Sequence, residues 1–302
     1  MAEDTRFVFV GAATLDAIAL VDQFPAPDQR VVADQVRFAG GGPAATAAVA
    51  AARLGVAASF VGAVSEDADG ERIVAELAAE GVDVGGVVRV PGRASGASVV
   101  VVDRGRGSRA ICNRPPPDLT LEGDAISDLL VDADWLHVDQ VGWGPVHRLL
   151  STLPEGSRPH VSVDAGNPIL GFEPGGVQLY VPTHSTLVAQ YPSALGEDSL
   201  DRALADGVRT VVATCGSDGA VAASADGLRA RVSGCATEVV STLGAGDVFH
   251  GALLAAIAHG HDLAGQLGYA NAAAALSCRG LDGRSEIPSH RELLDFLSAQ
   301  HV

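Results

Sequence analysis

Thr242-Leu243-Gly244-Ala245-Gly246-Asp247 sets two glycines and a carboxylate ahead of an apolar run in which Phe249, Leu253 and Ile257 recur at helical spacing before Gly260. The pattern predicts a helix opening at the glycines, with Thr242 as its N-cap and a short strand over 236–240 leading in. Without a Cβ at 244 and 246, successive backbone N–H groups can close on an anion at the positive end of the helix. That is phosphate-binding chemistry. Asp247 would repel a phosphate if binding were its only task, so it reads as a base that takes a proton beside a transferring phosphoryl group.

Other residues of suitable type are scattered along the chain. Asp16 follows the strand-like Phe7-Val8-Phe9-Val10 and Gly11, and reads either as a crevice acid accepting bonds from two hydroxyls or as a solvated turn residue. Arg30 reads either as a bidentate donor to an anionic substituent or as a solvated side chain. Gly40-Gly41-Gly42-Pro43 opens an alanine-rich helix that Arg53-Leu54-Gly55 closes, with Pro43 in its first turn and Gly55 as its stop. Side chains this small let the helix approach a sheet closely and let glycine backbone touch a ligand. Thr214-Cys215-Gly216-Ser217-Asp218-Gly219 is a glycine-rich turn that, taken alone, is equally a plain link between two strands. His137 and His160 lie in strand-like segments and read as packing residues, because no second metal ligand sits at a useful spacing. Asp164-Ala165-Gly166 reads as crevice lining or as a turn.

These residues need a framework, and the hydrophobic pattern supplies one. Strand-like runs at 7–10, 56–64, 134–138, 160–164 and 207–213 alternate with helical segments, among them 70–79 stopped by Gly81, 264–278, and an amphipathic terminal helix over 291–298. Such alternation implies βαβ units and a mostly parallel sheet. Between them lie segments of another kind: extended runs over 15–21 and 30–38, and a hairpin of 97–102 with 108–112 around Asp103-Arg104-Gly105-Arg106-Gly107. A further hairpin over 220–231 turns at Asp226-Gly227.

The composition fits this plan. In 302 residues, 47% of them hydrophobic, there is enough for a sizeable core. Lys and Arg total 20 against 37 Asp and Glu, and the formal net charge of −17 argues against nonspecific attraction to nucleic acid or anionic lipid. Cys112, Cys215, Cys235 and Cys278 are widely spaced, which suits reduced core thiols. The polar start, Met1 to Arg6, and the short run to Val10 make neither a signal h-region nor a membrane span, so the expected location is cytoplasmic.

The stretch from Thr242 to Gly251 resembles the C-terminal signature of the ribokinase/PfkB sugar kinases, Asp-Thr-x-Gly-Ala-Gly-Asp followed by an apolar residue, Phe, any residue and Gly. Ser241 replaces the leading Asp. Gly41, Gly42, Ala44, Ala45, Arg53, Leu54 and Gly55 match the family's N-terminal signature, with Pro43 and Thr46 where it has Asn. The resemblance covers nearly the whole chain. It implies a ribokinase-like three-layer α/β/α sandwich, one domain over 1–302, with a small β-sheet lid from segments of about 13–39 and 95–113 that also serves as a dimer interface in many relatives.

It further implies an ATP-dependent kinase acting on a primary hydroxyl of a sugar or similar small molecule. Asp247 would be the base, Gly244, Ala245 and Gly246 the anion nest, and Asp16, Gly41, Gly42 and Arg30 the acceptor site. Thr214, Gly216, Gly219 and Asn271 would lie along ATP, Asn271 being equally readable as an exposed helical residue. Thr183 and Thr186 stand where relatives carry an Asn and Glu that organise magnesium, so no metal ligand is assigned and Mg2+ is expected to arrive on the nucleotide. Ser241 lacks the charge with which relatives help hold a monovalent cation, which predicts weak or absent potassium activation. The order of the motifs, including Cys278-Arg279-Gly280, looks closest to ketohexokinase-like and sulfofructose-kinase-like enzymes. An inactive nucleotide- or sugar-binding sensor on the same fold is the alternative.

Overall fold

A computed structural model describes residues 5–192 and 198–300; residues 1–4 of the polar start lie outside them. The chain begins with β1 (Phe7–Val10), β2 (Thr14–Val21), β3 (Gln35–Gly41), α1 (Pro43–Arg53), β4 (Ala58–Val61), β5 (Ala63–Ser65), α2 (Ala68–Ala79), β6 (Val88–Val90), β7 (Ala97–Asp103) and β8 (Ser108–Arg114). It continues through α3 (Asp124–Val131), β9 (Trp135–Val138), α4 (Trp143–Ser151), β10 (His160–Ala165), β11 (Leu179–Pro182), α5 (His184–Gln190), α6 (Asp198–Ala205), β12 (Thr210–Thr214), β13 (Ala220–Ser224) and β14 (Arg229–Val232). The helices α7 (Ala245–Ala258), α8 (Leu263–Ser277) and α9 (His290–Gln300) complete it.

An 8-stranded sheet runs β14-β13-β12-β11-β10-β9-β1-β4, parallel from β4 to β12 with an antiparallel hairpin at one edge. Both faces are covered. In β1, Phe7 and Phe9 point into a core shared with α1, α2, α7 and α8, whereas Val8 and Val10 point into a second core with α3, α4, α5 and α6. This is why Phe7-Val8-Phe9-Val10 has no polar alternation: a parallel strand between two helical layers has no wet face. The architecture is the expected three-layer α/β/α sandwich. Neighbouring β4 and β9 leave β1 in opposite chain directions, so the C-terminal strand ends form a crevice there.

A 4-stranded sheet, β3-β2-β7-β8, stands over that crevice. Its inner face, Ile18, Leu20, Val100 and Val102, packs on Leu281 with Val240 and Leu243 beside it. Its other face leaves Val36 at 62%, Phe38 at 61% and Val99 at 56% exposure, an apolar surface too large for scattered exposed residues.

Several local expectations change. The strand expected over 30–38 begins at Gln35, opposite Leu20, because the residues before it have no partner strand; it runs on through Gly40 and Gly41, which the sequence placed at the opening of the alanine-rich helix. The run 56–64 splits at Gly62, with β4 pairing β1 and β5 pairing β6 in a small separate sheet. No strand precedes α7; residues 236–240 form a loop that Val240 and Ser241 fasten through N–H bonds to the Cys278 carbonyl, at 2.9 and 3.2 Å. The cysteines are all free, but only Cys278 is buried; Cys112 is exposed on β8. Among the described residues no helix is long and apolar enough to cross a membrane.

Candidate active site

The signature helix α7 is capped by Gly244 in the left-handed region at φ 72, and not by Thr242. A side chain there would be strained, and a Cβ would come 2.8 Å from the Gly283 Cα. Thr242 has another role: its Oγ1 accepts a 2.8 Å bond from Arg109 Nη1 on β8, tying the small sheet to the signature loop. Ser241 is buried and accepts the Leu243 N–H at 3.1 Å. No side chain caps α7; the Ala245 N–H makes only a long 3.4 Å bond to the Thr242 carbonyl, and the next N–H groups of the first turn have no partner within the helix. Further along, a Cβ at Gly251 would overlap the Ala47 carbonyl, so this last signature glycine is what lets α7 lie directly on the alanine face of α1.

Asp247, third residue of α7, is half-buried at this mouth. Burial pushes its carboxyl up to about 7, with the Asp164 and Asp139 charges adding to the rise and His250 and Arg109 opposing it. A carboxylate with that affinity for a proton is a competent base near neutral pH. Asp139, at the end of β9, had drawn no attention in the sequence. It is fully buried and accepts N–H bonds from Ala12, Ala44, Val141 and Gly142 at 2.7–3.2 Å, fixing the starts of α1 and α4 to the end of β1.

Of the residues expected to hold the acceptor, Asp16, Gly41 and Gly42 come together on one side. Asp16 is neither a crevice residue of the main sheet nor a solvated turn; it is the third residue of β2, 7% exposed, and accepts a 2.8 Å bond from Thr14 Oγ1. A Cβ at Gly41 would overlap its Oδ2, so the glycine makes the space the carboxylate fills. Burial pushes the Asp16 carboxyl up, against Thr14, Ser98 and the positive charge of Arg284. Arg284 is the residue sequence reasoning missed. It is 6% exposed and donates from Nη2 to the Gly41 carbonyl at 2.8 Å and from Nε to Thr46 Oγ1 at 3.2 Å. Thr46 thus holds the arginine where relatives carry Asn. Arg53 in turn grips Glu80 through two 2.7 Å bonds and the carbonyls of Arg284 and Ile287 at 2.7 and 3.0 Å, so the end of α1 positions the C-terminal loop. Gly42 is the N-cap of α1. Arg30 stands exposed in the loop before β3 and makes no hydrogen bond or ion pair among the described residues, so the structure does not join it to this group.

On the other side Thr214 ends β12 and bridges to Thr183 at the end of β11, and Gly216 and Gly219 bound a single tight turn after it. Asn271 is buried, not exposed. Its Nδ2 donates to the Val232 and Ser233 carbonyls at 3.2 Å each, so it braces the wall beyond β14. Thr183 Oγ1 caps α5, accepting Thr186 N–H at 3.1 Å and meeting Thr186 Oγ1 at 2.8 Å. That pair is a helix cap with no charge to offer a metal.

The histidines depart furthest from expectation. His160 is exposed and stacks near Trp135, but His137 is buried beside Asp164 and His250, their ligating atoms all within 4.8 Å. Spacing could not reveal this, because β9, β10 and α7 meet only in the folded chain. His250 Nε2 lies 3.1 Å from Asp164 Oδ1, and Asp164 also accepts the Gly166 N–H at 2.8 Å.

The profile of the "pfkB family carbohydrate kinase" matches residues 4–156 and 176–289. A ribokinase of Bacillus subtilis (strain 168) is 27% identical over 304 residues, covering 96% of this chain and 98% of its own. An ATP-dependent ribose-1-phosphate kinase of Halopiger xanaduensis is 28% identical, over 97% of this chain and 98% of its own. The crystal structure of a putative ribokinase II from E. coli in complex with ATP and Mg2+ superposes with a TM-score of 0.83 at 22% identity, covering 98% of this chain and 99% of that one. All three are described as kinases, and none of them supports reading the chain as an inactive sensor.

Proposed function

Since the chain belongs to the pfkB family of carbohydrate kinases, we propose that it transfers the γ-phosphoryl group of MgATP to a primary hydroxyl of a sugar or sugar-like acceptor, with Asp247 as base. The observation that carries this is the adjacency of a base raised to about 7 and a helix N-terminus without a capping side chain in one turn of α7. As the acceptor oxygen bonds to phosphorus and the bond to the β-phosphate oxygen breaks, the hydroxyl proton passes to the Asp247 carboxylate and ADP leaves. The N–H groups at Gly244, Ala245 and Gly246 stabilise charge on the moving phosphoryl oxygens. Asp16 accepts from the acceptor's hydroxyls beside the backbone of Gly41 and Gly42, and Arg284 holds that backbone in place.

Thr214, Gly216 and Gly219 line the nucleotide, while Asn271 acts one step removed by bracing its wall. Mg2+ arrives on the nucleotide: Thr183 and Thr186 bond each other, and Asp164 is taken by His250 and Gly166, so neither forms a dedicated carboxylate pair for the ion. The 4-stranded sheet acts as a lid that excludes water, and its Arg109–Thr242 bond is the clasp. A second copy of the chain covers its outer apolar face, built around Val36, Phe38 and Val99, giving a homodimer. The test is ADP release over a panel of sugars, wild type beside Asp247→Asn. A stimulated rate that the variant lacks supports the reading; nucleotide binding with no sugar-stimulated ADP release sinks it.

A further inference from the structure

Asp164, His250 and His137 form a buried charged cluster that the transfer described above does not use. Asp164 and His250 are 4% and 5% exposed, and their ion pair spans two layers of the sandwich, from the end of β10 to α7. His250 follows Asp247 by three residues on the same helix, so the two side chains are surface neighbours one turn apart. We propose that the Asp164–His250 pair is the fixed counter-charge of the catalytic base, with His250 a positioning residue that acts through Asp247 and not on substrate.

The groups facing Asp247 make the case. Asp164 from β10 raises its proton affinity, as does Asp139 from the end of β9, whose own carboxyl burial pushes up; His250 from α7 and Arg109 from β8 oppose that rise, and Arg284 from the C-terminal loop adds positive charge nearby. Arg109 is exposed and belongs to the lid, and Arg284 is committed to Gly41 and Thr46. His250 is the cation held inside the body of the sandwich at the base itself. Its imidazole takes a proton more readily than usual, despite burial, because Asp164 bonds it, while Asp164 is held down to about 2 by the same contact. His137 closes the cluster from β9, its ring 5.2 Å from that of His250 and its Nδ1 3.1 Å from Ser162 Oγ. Burial, and after it the His250 charge, push His137 down to about 3, so His137 is a neutral spacer beside His250. A half-buried base crowded by two carboxylates would otherwise keep its proton to higher pH.

The inference rests on Asp247 being the base, and the experiment separates the two. The acid limb of kcat/KM is measured for wild type, His250→Gln, His250→Asn and the charge-keeping His250→Lys, with Asp247→Asn alongside. Removing the charge should move the limb up by about one pH unit, a loss of roughly tenfold at pH 6 that shrinks as pH rises, and His250→Lys should return the limb toward wild type. 15N NMR of histidine-labelled wild type, which needs no variant to fold, should show one imidazole that titrates above the ordinary histidine range. A limb unmoved in both neutral variants, or no imidazole titrating above that range, overturns the counter-charge role. An active Asp247→Asn overturns the base itself and the inference with it.

Discussion

Replacing Arg284 by Met tests how the acceptor site is built. The guanidinium is 6% exposed and makes two bonds, to the Gly41 carbonyl at 2.8 Å and Thr46 Oγ1 at 3.2 Å. Charge-assisted bonds contribute about 1.5–3 kcal/mol each, and the methionine is spared the cost of burying a cation, so the net loss should be about 2–4 kcal/mol. That corresponds to a drop of roughly 3–6 °C in Tm, read by thermal unfolding. The functional effect comes through Asp16. Burial already raises its carboxyl, and Arg284 opposes the rise; without the arginine, Asp16 is protonated over a wider range and accepts hydroxyl bonds poorly. With the best acceptor from the sugar panel, KM for acceptor should rise about tenfold, equivalent to ~1.4 kcal/mol, and more at pH 6 than at pH 8, while KM for ATP stays put. An acceptor KM within about twofold of wild type at both pH values, in a variant that melts normally, would refute the assignment of Arg284.

Asp247→Asn should lower kcat by about 10²–10⁴-fold and raise Tm. The sign follows from the raised carboxyl: ionised Asp247 is less stable in the folded chain than in the unfolded one, so its unfavourable contribution grows as pH rises from about 4 to about 7, and the gain in Tm should be larger at pH 8 than at pH 5. Phe38→Glu together with Val99→Asp puts charge on the outer face of the lid and should convert a dimer to a monomer by sedimentation velocity; a wild type that sediments as a monomer rejects that interface. Exchanging sodium for potassium should change the rate by less than about twofold, since the hydroxyl of Ser241 is taken up by the Leu243 N–H and brings no charge; strong activation would show that the ion is held elsewhere.

Local rules carried much of the fold. Pro43 and Gly55 bracket α1, Gly81 stops α2 and Gly260 stops α7, because backbone conformation at a helix end depends on a few adjacent residues. The signature stretch was likewise legible as an anion nest followed by an acid, since its pieces lie within one turn. What could not be read were contacts between segments far apart in the chain. Thr242 looked like a cap, and only the lid's Arg109 explains it. Asn271 looked free to meet a ligand, and the carbonyls of residues 232 and 233 occupy it. Gly40 and Gly41 read as the opening of a helix, yet they end a strand, where their missing side chains make room for Arg284 and Asp16.

The types and order of residues, then, determined a doubly covered parallel sheet and a helix N-terminus fit for a phosphoryl group, because periodicity and turn chemistry are local. Tertiary structure alone decided which charges surround the base. Asp139, Asp164 and Arg284 come from two strand ends and a loop separated by long stretches of chain, and only the packing of β10 against α7 brings Asp164 within 3.1 Å of His250. Electrostatic energy depends on distance through space and on burial, and neither quantity is written in sequence spacing.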